Sequence, residues 1–173
     1  VIFTEFVSAD GLVLAGEAGQ EKLRRKLMHS AAERPAVAQL FTSNPDHMEQ
    51  AARIAAQLGF DGIDINMGCP DRTVEKTGSG AALIKTPQRA RELIAAAKRG
   101  ASAHGARIPV SVKTRLGYNA DQLDEWLPQI LAEEPAAVTI HARTRKEMSL
   151  VPAQWERIAR AVDIRDALAP HKI

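Results

Sequence analysis

This 173-residue sequence has a single cysteine, Cys69. That scarcity excludes a disulfide framework and any multi-cysteine zinc site, so no metal is expected, and it fits a reducing, cytoplasmic compartment. Long hydrophobic runs are missing too. None approaches the roughly 18 residues a membrane span needs, so no membrane partner is expected. The opening stretch VIFTEFVSAD has no basic n-region and reads as a strand rather than a signal peptide. Charge of one sign is also scarce: a net charge of +2 permits a nucleic-acid partner without demanding one. No P-loop, HExxH or Ser-His-Asp arrangement is visible. The stretch GSGAAL, Gly78 to Leu83, lacks the third glycine and the preceding strand of a dinucleotide fingerprint. It reads instead as a loop that folds back after Cys69.

What is present is ordinary globular material, 45% hydrophobic and 25% charged, enough for one domain with a real core. Strands and helices alternate along it. Strands are expected over Val1 to Val7, Pro35 to Phe41, Phe60 to Met67, Ile108 to Arg115 and Ala136 to Arg143. Helices are expected over Glu21 to Ala31, from the Asn44-Pro45 cap through Leu58, from Thr86-Pro87 to about His104, over Asp121 to Ala132, and over Pro152 to Leu168. The three middle strands read as nearly continuous apolar runs, as in a parallel sheet covered on both faces. The sequence opens inside an apolar run without an initiator Met and stops at APHKI, so it is expected to be a single domain cut at both ends.

Alternating strands and helices leave a doubly wound sheet or a (β/α)8 TIM barrel. Gln39, Asn66, Lys113 and His141 each fall at or near the carboxyl end of a different strand. Cys69, Arg115 and Arg143 follow closely, which is how a barrel assembles its site. A doubly wound sheet gathers ligands at one switch point, usually beside a Gly-rich turn after the first strand, and that turn is absent. A partial α/β barrel is therefore expected, about five of eight strands, since a complete one needs about 250 residues.

Several segments carry a resemblance: VAQLF, GIDINMGCP with its trailing GSGAAL, PVSVKTRLG and VTIHARTR. In this order they resemble the tRNA-dihydrouridine synthases, flavin enzymes built on a TIM barrel. The similarity runs along essentially the whole chain and corresponds to the family's second to sixth barrel strands. It implies that the loops holding the FMN phosphate and the C-terminal helical domain that helps hold tRNA lie outside this sequence. The reaction implied is NADPH-dependent, FMN-mediated reduction of the C5=C6 bond of a uridine in tRNA, giving 5,6-dihydrouridine.

By the same resemblance Cys69 is the general acid that protonates C5. A lone thiol is more commonly an inert buried side chain, but this one lies on a Gly68–Pro70 turn, and a cysteine thiol is mostly protonated at pH 7. Gln39, Lys113 and His141 are implied as FMN contacts, with Lys113 at the N1–C2 carbonyl edge of the ring. Asn66 and Arg115 are implied to meet the substrate base, Asn66 offering both donor and acceptor. Arg143, with Arg145 and Lys146, forms a basic rim suited to phosphates. Asp64 shares the strand face of Asn66 and reads as structural. Two other readings stand beside this one: an FMN barrel acting on a free pyrimidine, of the dihydroorotate dehydrogenase type, or an inactive half-barrel fragment. None of these motifs sets an oligomeric state.

Overall fold

A computed structural model describes residues 1–102 and 107–171. Its first strand is interrupted: β1 (Ile2–Phe3) and β2 (Val7–Ser8) both pair in parallel with β3 (Ala36–Phe41). The expected continuous strand is broken where the Thr4 hydroxyl takes the place of a backbone acceptor, accepting the Gln39 N–H at 3.1 Å. There follow α1 (Ala9–Leu14), α2 (Glu17–Arg25), α3 (Pro45–Gln57), β4 (Gly62–Met67), α4 (Arg72–Lys76) and α5 (Pro87–Ala101). The chain continues through β5 (Val110–Arg115), α6 (Leu123–Leu131), β6 (Val138–His141) and α7 (Trp155–Leu168).

One helix was not expected, and one expected helix needs correction. Ser8 caps an unforeseen short helix, α1, by accepting from Gly11 N–H. The next helix starts earlier, at Glu17, and ends at Arg25, because Leu27 turns inward and is only 2% exposed. Helix α5 is described through Ala101; the expected end near His104 lies outside the described residues.

The strands lie in chain order, β1/β2–β3–β4–β5–β6, every pair parallel. Such order has no reversal and hence no switch point, which removes the doubly wound alternative. The sheet curls into a half-barrel, part of a TIM barrel.

The strands are not the nearly continuous apolar runs expected. They alternate. Ala36, Ala38, Leu40, Ile63, Ile65, Val110 and Val112 form one buried face beneath α3 and α5. The register sets Gln39 opposite Asp64, Asp64 opposite Ser111, Asn66 opposite Lys113 and Arg115 opposite His141. Paired residues of a parallel sheet point the same way, so these polar groups together form the other face, the barrel lumen. A second apolar cluster, with Leu116, Leu123, Leu127 and Ile164, seats α6 and α7.

Candidate active site

The lumen polar groups stack in rows that climb toward the carboxyl strand ends. The deepest row is Gln39, Asp64 and Ser111. Asp64, 1% exposed, accepts the Ser111 hydroxyl on Oδ1 at 2.6 Å and Gln39 Nε2 on Oδ2 at 2.7 Å. Burial pushes its carboxyl above the usual range, opposed by those two hydrogen bonds and by the charge of Lys113. One row up, Asn66 Nδ2 donates to Gln39 Oε1 at 3.1 Å.

Above that row the chain turns sharply at Gly68 and Cys69. Asn66 Oδ1 accepts the Gly68 N–H at 3.1 Å and the Cys69 N–H at 2.9 Å. A side chain at Gly68 would bring its Cβ within 3.2 Å of the Thr114 carbonyl carbon, so glycine lets β4 exit tight against β5. From the other side the Cys69 carbonyl accepts Ala81 N–H at 2.9 Å. That contact needs Gly80, whose φ is +61 and whose Cβ would lie 2.7 Å from the Cys69 oxygen. The segment Gly80–Lys85 is a buried 3-10 turn, the folded-back loop expected after Cys69. The Cys69 backbone is thus held from both flanks, and the residue is half-buried.

Higher up the lumen turns basic: Lys113 shares the row of Asn66, and Arg115 and His141 share the next. Lys113 makes no hydrogen bond or ion pair with a described residue, though its charge is felt by Asp64 and His141. A lumen cation that no carboxylate of the described residues pairs with directly fits the electron-rich carbonyl edge of a ring system. His141 Nε2 lies 2.8 Å from Arg143 Nη1. A guanidinium can only donate, so the ring nitrogen accepts and the imidazole is neutral. Burial first, then the charges of Arg115, Lys113 and Arg143, lower its pKa.

The arginines hold protein groups. Arg115, 6% exposed, donates to three backbone carbonyls: Gly68 at 2.8 Å, Thr144 at 3.1 Å and Met148 at 2.9 Å. It buckles the Cys69 turn to the loop after β6. Arg145 is paired with Glu75, its Nε 3.0 Å from both carboxylate oxygens, and lies over the Tyr118 ring. Arg143 donates through Nε to the Val151 carbonyl at 2.6 Å. Gln39, Asn66, Lys113, Arg115 and His141 therefore share one face, with Cys69 at its rim. Asp64, set aside as structural, joins them, and so does Ser111. Their even spacing from Asn66 and Lys113 was the available signal. Among the described residues no group of His, Cys, Asp and Glu could hold a metal ion, and no helix is long and apolar enough to cross a membrane.

A singly wound parallel half-barrel with polar side chains gathered at the carboxyl strand ends places the chain in the (β/α)8-barrel class. Within that class it belongs to the dihydrouridine synthase (Dus) family, which matches over residues 1–168. Over its full length it is 40% identical to a probable tRNA-dihydrouridine synthase of Staphylococcus aureus (strain COL), covering 51% of that protein. It is 43% identical to a probable tRNA-dihydrouridine synthase 2 of Bacillus subtilis (strain 168), over 98% of the chain and 50% of the relative. The chain thus spans about half the length of the curated relatives it matches. The family is in general flavin-dependent, and Lys113, with no ion pair among the described residues, together with the Gln39 amide fits such a group.

Proposed function

We propose that this chain carries the strand-end active site of a tRNA-dihydrouridine synthase, reducing the C5=C6 bond of a uridine in tRNA. The observation that carries the reading is Cys69, its backbone pinned on the rim of a lumen in which Lys113 makes no hydrogen bond or ion pair with a described residue. Gln39, Lys113 and His141 would hold FMN, with Lys113 opposing negative charge at the ring edge. When bound, FMN would supply hydride to C6 of the base, drawing it from NADPH.

The chain's own residues do the remaining work. Asn66 donates to a carbonyl oxygen of the uracil. Cys69 gives its proton to C5, a task for a neutral thiol rather than a thiolate. Arg115 holds the two loops between which the base would enter, and Arg143 keeps His141 neutral while facing the substrate side. The base must leave the RNA stack to reach this depth. Family membership favours tRNA over a free pyrimidine.

The test is single-turnover reduction of tRNA by the pre-reduced full-length protein, wild type against Cys69→Ala, with flavin occupancy measured in both. Uridine reduction is expected to fall by roughly 10²- to 10⁴-fold, the usual worth of a positioned acid, about 3–5 kcal/mol of barrier. Flavin content and oxidation of NADPH should stay unchanged. Equal rates would remove Cys69 from the chemistry and the reading with it.

A further inference from the structure

A buried carboxylate that touches no reacting group is the least explained feature of the lumen. Asp64 lies at its floor, under a chain of hydrogen bonds that climbs to the backbone of the Cys69 turn. Its two oxygens accept from Ser111 Oγ and Gln39 Nε2. A carboxylate can only accept, so Gln39 must turn its NH2 group down toward Asp64 and its oxygen up. That oxygen accepts from Asn66 Nδ2, which leaves Asn66 Oδ1 facing the two N–H groups of the turn. The links run one way, with no ambiguous amide among them. We propose that Asp64 is a positioning residue for Cys69, acting through Gln39 and Asn66, and that this chain restricts Asn66 to a donor toward bound substrate.

The second part follows by counting. Both lone pairs of Asn66 Oδ1 are taken by Gly68 and Cys69 N–H, and one Nδ2 hydrogen is taken by Gln39. One N–H is left. Asn66 therefore selects a ligand with a carbonyl oxygen there, and not the donor-and-acceptor edge expected from its residue type. This part rests on the proposed uridine substrate; the positioning part does not. Burial raises the Asp64 carboxyl, so an ionised group here costs stability that an apolar residue would not cost. A floor acceptor that anchors the amides is what Asp64 gives in return.

The reporter is Cys69 itself. In the full-length protein its alkylation by iodoacetamide, followed by mass spectrometry of the Cys69 peptide, reads the turn whether or not uridine is the substrate. Asp64→Ala is expected to speed labelling roughly tenfold, the scale of a lost hydrogen bond to a charged group. Asp64→Asn keeps an acceptor for Gln39 and a donor for Ser111, and should restore a near wild-type rate. Ile65→Val, on the opposite face of β4, is the control for lost stability and should leave labelling unchanged. A wild-type rate in Asp64→Ala, no rescue by Asn, or equal acceleration in Ile65→Val would each overturn the proposal. Should Asp64→Ala fail to fold, Gln39→Met cuts the same chain one link nearer the turn. It is expected to accelerate labelling equally, and a wild-type rate there overturns the proposal as well.

Discussion

At the residue scale, His141 shows how neighbours decide a side chain's state. Its ring accepts from Arg143 and faces Lys113 and Arg115, so an added proton would enter a positive, half-buried environment. Its folded pKa is therefore below the ordinary value of 6.5. Between the two values the unfolded chain binds more protons than the folded one. The stability linked to His141 is full above the unfolded pKa and is lost as pH falls through it toward the folded value. His141→Gln keeps an acceptor for Arg143 and removes the titration. The stability advantage of wild type over this variant should shrink as pH falls through the ordinary value of 6.5, measured by urea unfolding across that range. A difference that is flat across that range would show that the imidazole is not held neutral by its surroundings. Arg115 makes the complementary point. The family resemblance implies a hand for the substrate, and in the structure its N–H groups hold backbone carbonyls of two loops.

At the element scale the closest packing is between α3 and α5, where Gly100 meets the backbone of Glu49. A Cβ added at Gly100 would lie 2.2 Å from the Glu49 carbonyl oxygen and 2.7 Å from Ala52 Cβ. In a free helix, glycine to alanine usually gains about 0.5–1 kcal/mol. Here the sign should reverse. Gly100→Ala is expected to cost about 1–3 kcal/mol, read from chemical denaturation; a stabilised variant would mean that the helices part freely. Position 100 also marks what the sequence could tell. The spacing of Met48, Ala51 and Ala55 made α3 legible, and the strand-end polar residues made the barrel legible. The break at Thr4 and the early stop of α2 were not, because both are set by tertiary partners, Gln39 N–H and the buried site of Leu27. Within the site, residue types and strand positions were readable. Their hydrogen-bond directions were not, because these depend on which strand lies beside which.

At the scale of the whole molecule, the half-barrel has two open flanks. One carries Ile2, Phe3 and Phe6, all exposed; the other carries Leu150 and Trp155, 87% and 74% exposed, beside an apolar groove lined by Leu127, Val138 and Ile140. Unpaired strand edges with exposed apolar neighbours associate. The 173-residue chain by itself is expected to self-associate at micromolar concentration, as seen in sedimentation velocity. A single monomeric boundary with a sharp cooperative melt would contradict this.

The Arg115 buckle also has a consequence in time. Because the strands pair in chain order, a chain leaving the ribosome can add each unit to the one before it. The thiol turn is the exception. Its buckle needs the Met148 carbonyl, which lies 33 residues beyond Arg115. At about 5–20 residues per second of synthesis, the sheet beneath Cys69 is laid down roughly 2–7 s before its last fastening arrives. During that interval the nascent chain carries a strand scaffold whose reactive corner is still unlatched.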